Sequence, residues 1–343
     1  MSRRSLTLLI SGLATLAALA VAVLVPVPYV ILSPGPTLNT LGDQGGQPLI
    51  TITGHRTYPT TGNLNMVTVS SEGGPGVNLN IFEALQAWFD SSEAVVPESE
   101  IYPAGQSAQQ TDQEDTAEMT GSQETAQAAA FTQLHIPYQT QVAIVATAPG
   151  TPAAGVLKAG DVITAVDGTA VTGMTQLTSL ITAHPAGTVL HLTVLRAGKT
   201  IPVNVKTKES GGKPIIGVEV QENYKFPFTV KISVGDIGGP SAGTMFALGI
   251  IDKLTQDNLT GGKFIAGTGE ITPAGQVEAI GGIQQKMVGA RDAGATVFLA
   301  PAGNCSDVVG AIPPGLRVVK VSTLSQAITY LEDLKAGKPV PSC

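Results

Sequence analysis

Twenty nearly continuous apolar positions, Leu6 to Val25, open the hydropathy pattern, and no charged residue falls between Arg4 and Asp43. As a helix, such a run is about 30 Å long, the thickness of a bilayer's hydrocarbon core. The pattern predicts a membrane anchor over residues 6–28 with a cytoplasmic tail at 1–5, because Arg3 and Arg4 satisfy the positive-inside bias. In that orientation the chain is single-pass in the cell membrane and everything after Pro28 is extracytoplasmic. A cleaved signal peptide is the competing reading, since Ala18-Leu19-Ala20 supplies an A-x-A pattern, but the apolar run outlasts an ordinary h-region.

Beyond Pro34-Gly35-Pro36 the pattern changes to short alternating runs. Leu49-Ile50-Thr51-Ile52 and Leu64-Asn65-Met66-Val67-Thr68-Val69, with Thr61-Gly62 between them, read as antiparallel strands. Regularity is lost from Ser70 to Gln123, where Ile81, Leu85, Trp88 and Phe89 fall at helical spacing and the Gln-rich stretch Gly105 to Asp115 reads as a surface loop. Met119, Ala126, Ala129, Ala130 and Leu134 return to helical spacing. A new module is expected near Phe131, giving an exported region over 31–130, a second domain over 131–208 and a third over 209–343. The second domain opens on a strand at Val142–Val145, with a helix around Met174–Ala183 and a hairpin over Val189–Val205. In the third, a strand at Val230–Val234 leads through a glycine-rich turn into a helix carrying Met245, Leu248 and Ile251 on one face.

Composition narrows the chemistry. The 343 residues carry 19 Lys plus Arg against 26 Asp plus Glu, a net charge of -7, which argues against a broad basic surface and hence against nucleic acid. With 43 % hydrophobic and 13 % charged residues the chain is far from a disordered composition, and its length suits two or three domains. Two cysteines make neither a disulfide scaffold nor a four-ligand zinc site. In an exported domain Cys305 and Cys343 can pair, the alternative being two free thiols. Gly198-Lys199-Thr200 resembles the end of a phosphate-binding loop, but Thr193 stands where G-x-x-x-x-G-K-[ST] needs its first glycine, so the segment reads as a hairpin turn. No ATP, cofactor or metal is expected.

The candidate chemistry lies in Gly235-Asp236-Ile237-Gly238-Gly239-Pro240-Ser241-Ala242-Gly243, where a serine sits at a helix start beside glycines and the exposed amides of a first turn. Gly239-x-Ser241-x-Gly243 matches a nucleophile elbow, but His55, His135, His184 and His191 all precede Ser241, so the serine-acid-histidine order is impossible. A neutral lysine amine is another base for a serine, provided burial lowers its pKa from about 10.4. Lys286 fits, because Ile283, Lys286, Met287 and Ala290 share one helical stripe.

Two resemblances bear on these segments. "GTPAAGVLKAGDVITAVDG" at 150–168 resembles the central signature of bacterial PDZ domains, which bind extended peptides by strand addition to a sheet edge. It implies a carboxylate-binding loop just before Val142, near 136–141, where the family's glycine-rich form is missing. "DIGGPSAG", "GTGEITPAGQVEAIGG" and "GGIQQKMVGARDAGA", in that order, resemble the proteolytic domain of Lon-type serine/lysine proteases over about Lys225 to Leu334. That resemblance implies Ser241 as nucleophile and Lys286 as general base, with Gly239 and Pro240 near the oxyanion and Thr268 orienting the lysine. Glu270 serves the site or the structure, and Asp236 lies near the motif without a part in the dyad chemistry.

The expected fold class is α+β: an N-terminal transmembrane helix, a β-rich PDZ-like domain and a Lon-type α/β proteolytic domain that the early strands near Leu49–Val69 join. The expected function is an ATP-independent, membrane-anchored serine endopeptidase acting on exported or membrane proteins, with the PDZ groove taking peptide or protein substrates and self-association implied by analogy with Lon rings. The alternative is a non-catalytic PDZ peptide-binding scaffold on the membrane.

Overall fold

The computed structural model describes residues 3–343. The chain begins with α1 (Arg3–Leu24), β1 (Tyr29–Asn39), β2 (Ile50–Thr53), β3 (Asn63–Gly73), α2 (Ile81–Phe89), β4 (Ala94–Pro97) and α3 (Ala108–Gln133). A separate compact unit, Ile136–Pro227, is then interposed with β5 (Gln139–Thr147), β6 (Val162–Val166), α4 (Met174–Thr182), β7 (Val189–Arg196), β8 (Lys199–Lys206) and β9 (Val218–Lys225). The chain returns with β10 (Thr229–Ile232), α5 (Gly243–Leu254), β11 (Phe264–Gly267), α6 (Ile283–Asp292), β12 (Val297–Pro301), β13 (Arg317–Val321) and α7 (Leu324–Lys335).

The larger unit, Met1–His135 with Phe228–Cys343, is closed by one mixed sheet in the order β13-β12-β11-β3-β1-β4. Its seam joins distant sequence: β3 pairs in parallel with β11, Leu64 opposite Ile265 and Met66 opposite Gly267. The parallel half is buried on both faces, as the uninterrupted Val297-Phe298-Leu299-Ala300-Pro301 of β12 requires. α5 is buried along nearly its whole length, with Met245, Phe246, Leu248 and Ile250 all at 0 % exposure. α6 lies on β1 and β3, where Gly289 faces Pro34 and Gly35. Where the chain leaves this unit and comes back, Phe131 and Phe228 meet with ring centroids 4.7 Å apart. A disulfide joins Cys305 to Cys343.

Two local expectations are corrected. β2 and β3 do not pair with each other: β2 pairs with β10, Ile50 opposite Ile232, while β3 lies between β1 and β11. Alternation fixes strand character but carries no information about the partner. The stretch Gly105–Asp115 is not a surface loop throughout, because α3 begins at Ala108. Ser107 and Gln110 form a reciprocal capping box there, which starts a helix without any apolar periodicity in its first turns.

The interposed unit is built on a sheet in the order β8-β7-β6-β5-β9. Val142, Ile144, Ile163, Val166, Leu177, Leu190, Leu192 and Val194 form its core. Asp161, 1 % exposed, is held by Arg196 through bonds of 2.7 Å to each carboxylate oxygen. That fork keeps the Asp161 carboxyl below its ordinary range despite the opposing cost of burial. Gly198 sits in the β7–β8 hairpin turn with φ 77°. The unit's limits, 136 and 227, differ from the 131 and 208 read in the sequence: Phe131 is buried within the larger unit, and β9 belongs to this sheet by its full-length pairing with β5.

Candidate active site

α5 and α6 bring one functional side chain each to the same cleft. Ser241 lies in the turn before α5, whose first helical residue is Gly243, so its hydroxyl does not cap the helix. Lys286 lies one turn into α6, 4 % exposed, between Ile283 at 2 % and Met287 at 0 %. Lys286 Nζ donates to Ser241 Oγ at 2.6 Å across 45 residues of sequence. The same nitrogen donates to Thr268 Oγ1 at 3.2 Å. Burial pushes the Lys286 amine down from 10.5 to about 8, the Glu270 carboxylate working in the opposite direction.

The segment after β11 holds the backbone of Ser241. Thr268 Oγ1 donates to the Ser241 carbonyl at 3.0 Å, and the Gly269 amide donates to the same oxygen at 2.8 Å. Thr268 therefore touches both Lys286 and Ser241, its hydroxyl accepting from the side chain of one and donating to the backbone of the other. Gly269 has φ 141° and its Cα faces Thr244 and Val277 so closely that a Cβ would meet them at 2.7 and 2.8 Å, which makes glycine the residue that fits.

A second clamp was not read in the sequence. On α3, the Asp115 carbonyl accepts from the Gly239 amide at 3.1 Å, and Ser122 Oγ donates to the Pro240 carbonyl at 2.8 Å. The first of these bonds bears on the oxyanion. The Gly239 amide is engaged and Pro240 has no N–H, so neither residue is a free donor in this state. The turn that follows, at Ser241 and Ala242, stands ahead of the first helical turn of α5.

The cleft itself, about 520 Å³, is lined by the apolar Leu32, Met66, Val69 and Met119 and by the acidic Asp115, Asp236 and Glu270. Lys286 is the one cationic side chain lining it among the described residues. Asp115 and Glu270 are both raised above the ordinary carboxylate range, chiefly by burial and further by neighbouring carboxylates. No group of three or more His, Cys, Asp or Glu side chains suited to a metal occurs among the described residues.

In the interposed unit the free sheet edge beside a helix is β9. Among the described residues it pairs only with β5, and α4 lies against it, the Met174 amide donating to Glu222 Oε1 at 2.5 Å. Leading into β9, Gly217 turns with φ 82°, packed so tightly on Thr151 that a Cβ would sit 2.2 Å from its Cβ. A glycine turn thus precedes the last strand of the unit, whereas 136–141 has none.

Comparison with known proteins gives two family matches along the chain. Residues 109–207 match the family model of the PDZ domain, and residues 221–332 match that of the Lon protease (S16) C-terminal proteolytic domain. The PDZ match starts inside α3 and stops before β9, whereas the compact unit runs from 136 to 227. The chain is 30 % identical over 133 residues to Lon protease 1 of Bacillus subtilis, covering 37 % of this chain and 16 % of that protein. It is 42 % identical over 79 residues to Lon protease of Clostridioides difficile, covering 23 % of this chain and 10 % of that one. Among solved structures, the PDZ domain of an SdrC-like protein from Listeria monocytogenes matches at 27 % identity over 23 % of this chain and 85 % of that chain, with a TM-score of 0.22. The chain carries a PDZ domain followed by a Lon-type proteolytic domain, the domain of a serine peptidase. It spans about one sixth of the length of the Bacillus subtilis relative.

Proposed function

We propose that the protein is a membrane-anchored, ATP-independent serine endopeptidase that uses Ser241 as nucleophile and Lys286 as general base. The observation that carries this reading is the 2.6 Å contact between Ser241 Oγ and an amine buried to 4 % exposure, whose pKa of about 8 leaves a usable neutral fraction at neutral pH. Ser241 Oγ attacks the peptide carbonyl carbon as its proton passes to Lys286 Nζ. The oxyanion is met by amides of the turn at 241–242. The C–N bond then breaks, the leaving nitrogen takes the proton back from Lys286, and water repeats the cycle on the acyl-serine. Thr268 holds the amine on line between its own hydroxyl and Ser241.

α1 is long and apolar enough to cross a membrane, and Arg3 and Arg4 at its start favour a cytoplasmic amino terminus with the catalytic unit outside. The 343 residues contain no complete G-x-x-x-x-G-K-[ST] motif, which supports cleavage without nucleotide. The PDZ domain selects substrates by adding an extended peptide to the β9 edge beside α4. Exported or membrane proteins with accessible unfolded segments are the substrate class, and homo-oligomerisation is consistent with the Lon relationship.

The test is cleavage of reduced casein by the full chain in lipid vesicles without nucleotide, beside Ser241→Ala. Fragments from the wild type alone support the reading. Equal cleavage by both, or none by the wild type with PDZ-binding carboxyl-terminal peptides present, contradicts it and favours a peptide-binding scaffold.

A further inference from the structure

We propose that the outward face of α2 docks onto the surface of the lipid bilayer from which α1 emerges, seating its aromatic residues at the headgroup level. The inference rests on the reading of α1 as a membrane anchor and adds a second, non-spanning contact to it. Ile81, Phe82, Leu85, Trp88 and Phe89 are all exposed, from 42 % for Ile81 to 71 % for Trp88 and 87 % for Phe89. At about 100° per residue these five positions share an arc of roughly 120°. Only Ala84 and Ala87 turn inward, so the helix shows its large apolar side chains to the outside and its smallest ones to the protein. Such an inversion of the usual burial order marks an interaction surface.

The helix is built to be rigid. Asn80 Oδ1 accepts from the amides of Phe82 and Glu83 at 2.9 and 3.1 Å, while Glu83 Oε2 accepts from the Asn80 amide at 2.8 Å. Both capping residues are thereby spent on the first turn, and the exposed face is not a frayed end.

Location selects the lipid as occupant. α1 ends at Leu24, the Val27 amide donates to the Leu79 carbonyl at 2.8 Å, and Leu79 immediately precedes the cap of α2. α1 and α2 are also in contact. The apolar face thus begins where the chain leaves the bilayer, and Val25 and Val77, 52 % and 55 % exposed, add to the apolar surface there. No Lys or Arg occurs between Arg56 and Lys158, so the attraction is apolar insertion with an aromatic anchor, without an electrostatic demand for anionic lipid.

Trp88 is the only tryptophan in the chain, which makes it a site-specific reporter. The experiment reconstitutes the full chain into phosphatidylcholine vesicles whose acyl chains carry bromine near the headgroup and reads Trp88 emission. The expected result is quenching of about twofold or more relative to unbrominated vesicles, with protection from aqueous acrylamide and little change when anionic lipid is added. Leu85→Ser with Phe89→Ser, at exposed positions that leave the fold intact, should reverse both effects. A chain that co-floats with the vesicles while Trp88 stays open to acrylamide and untouched by bromine overturns the proposal and leaves the anchor standing. Shielding from both quenchers also overturns it, assigning the face to a second copy or another protein. A chain that fails to float overturns the anchor reading and this proposal together.

Discussion

Ser122 Oγ donates to the Pro240 carbonyl at 2.8 Å, joining the middle of α3 to the residue before Ser241 across 118 positions of sequence. With the adjoining bond from the Gly239 amide to the Asp115 carbonyl, it fixes two consecutive residues of the turn that aims Ser241. Neither residue of α3 needs to touch the scissile bond. Ser122→Ala leaves the half-buried Pro240 carbonyl without this donor, at a cost of about 1 kcal/mol. If the bond positions the nucleophile, steady-state kinetics should show kcat falling several-fold with KM nearly unchanged. A change confined to thermal stability would make Ser122 structural only.

The pH profile follows from Lys286. Its folded pKa is depressed from 10.5 to about 8 by burial, so the neutral base accumulates as pH rises through about 8. The rate of peptide cleavage should climb through that value and level off above it. Glu270, whose carboxylate holds the amine's pKa up against desolvation, supplies the control. Glu270→Gln should move the rising limb to lower pH. A limb that stays put in that variant separates Glu270 from the dyad.

A lysine with a depressed pKa is a burden on the fold at neutral pH. Between the folded value of about 8 and the unfolded 10.5 the unfolded state binds more protons, so stability rises with pH across that window and the full cost is borne below it. Lys286→Met should abolish cleavage while stabilising the protein at pH 7 by on the order of 2 kcal/mol, an advantage that fades toward pH 10. Thermal melts of the two proteins at pH 7 and pH 9.5 measure it; a destabilised Met variant at pH 7 would contradict the burial argument.

The parts of this site that sequence reveals are those whose chemistry is local. Ser241 stands among glycines and a proline within nine residues, and Lys286 shares its stripe with Ile283, Met287 and Ala290, so each can be singled out within one helix. The clamp from α3 escapes such reading, because one of its two bonds uses the backbone carbonyl of Asp115, which any residue could supply. The first turns of that helix, Ala108 to Asp115, are almost wholly polar and carry no apolar period; only the capping pair Ser107 and Gln110 marks their start. In the same way, periodicity identifies Ile81, Leu85, Trp88 and Phe89 as one face of a helix but not whether that face turns inward, and here it turns out. β9 lies beyond the hairpin of β7 and β8, so its alternation carries no local sign that it pairs back onto β5.

The position of the peptide groove is open to a direct check. Titrating the ¹⁵N-labelled protein with a carboxyl-terminal peptide should shift amides of Val218–Lys225, of the Gly217 turn and of α4. Shifts confined to 136–141 would return the groove to the other end of the unit.

The disulfide tests the tail. Reduction of Cys305–Cys343 opens a loop with a sequence separation of 38 and should lower stability by up to about 4 kcal/mol in the chain-entropy model. Because neither cysteine lines the cleft, cleavage well below the melting midpoint should be unchanged by reductant.

The central claim is that Lys286 serves Ser241 as its base. It is tested most directly by kcat/KM of Lys286→Ala at pH 8.5 on an unfolded peptide substrate, without nucleotide, beside wild type and Ser241→Ala. The dyad predicts that both variants lose at least about a thousandfold, and by similar factors, since the two side chains act as one unit. A Lys286→Ala protein that keeps a tenth or more of wild-type activity would contradict it and require another base for Ser241.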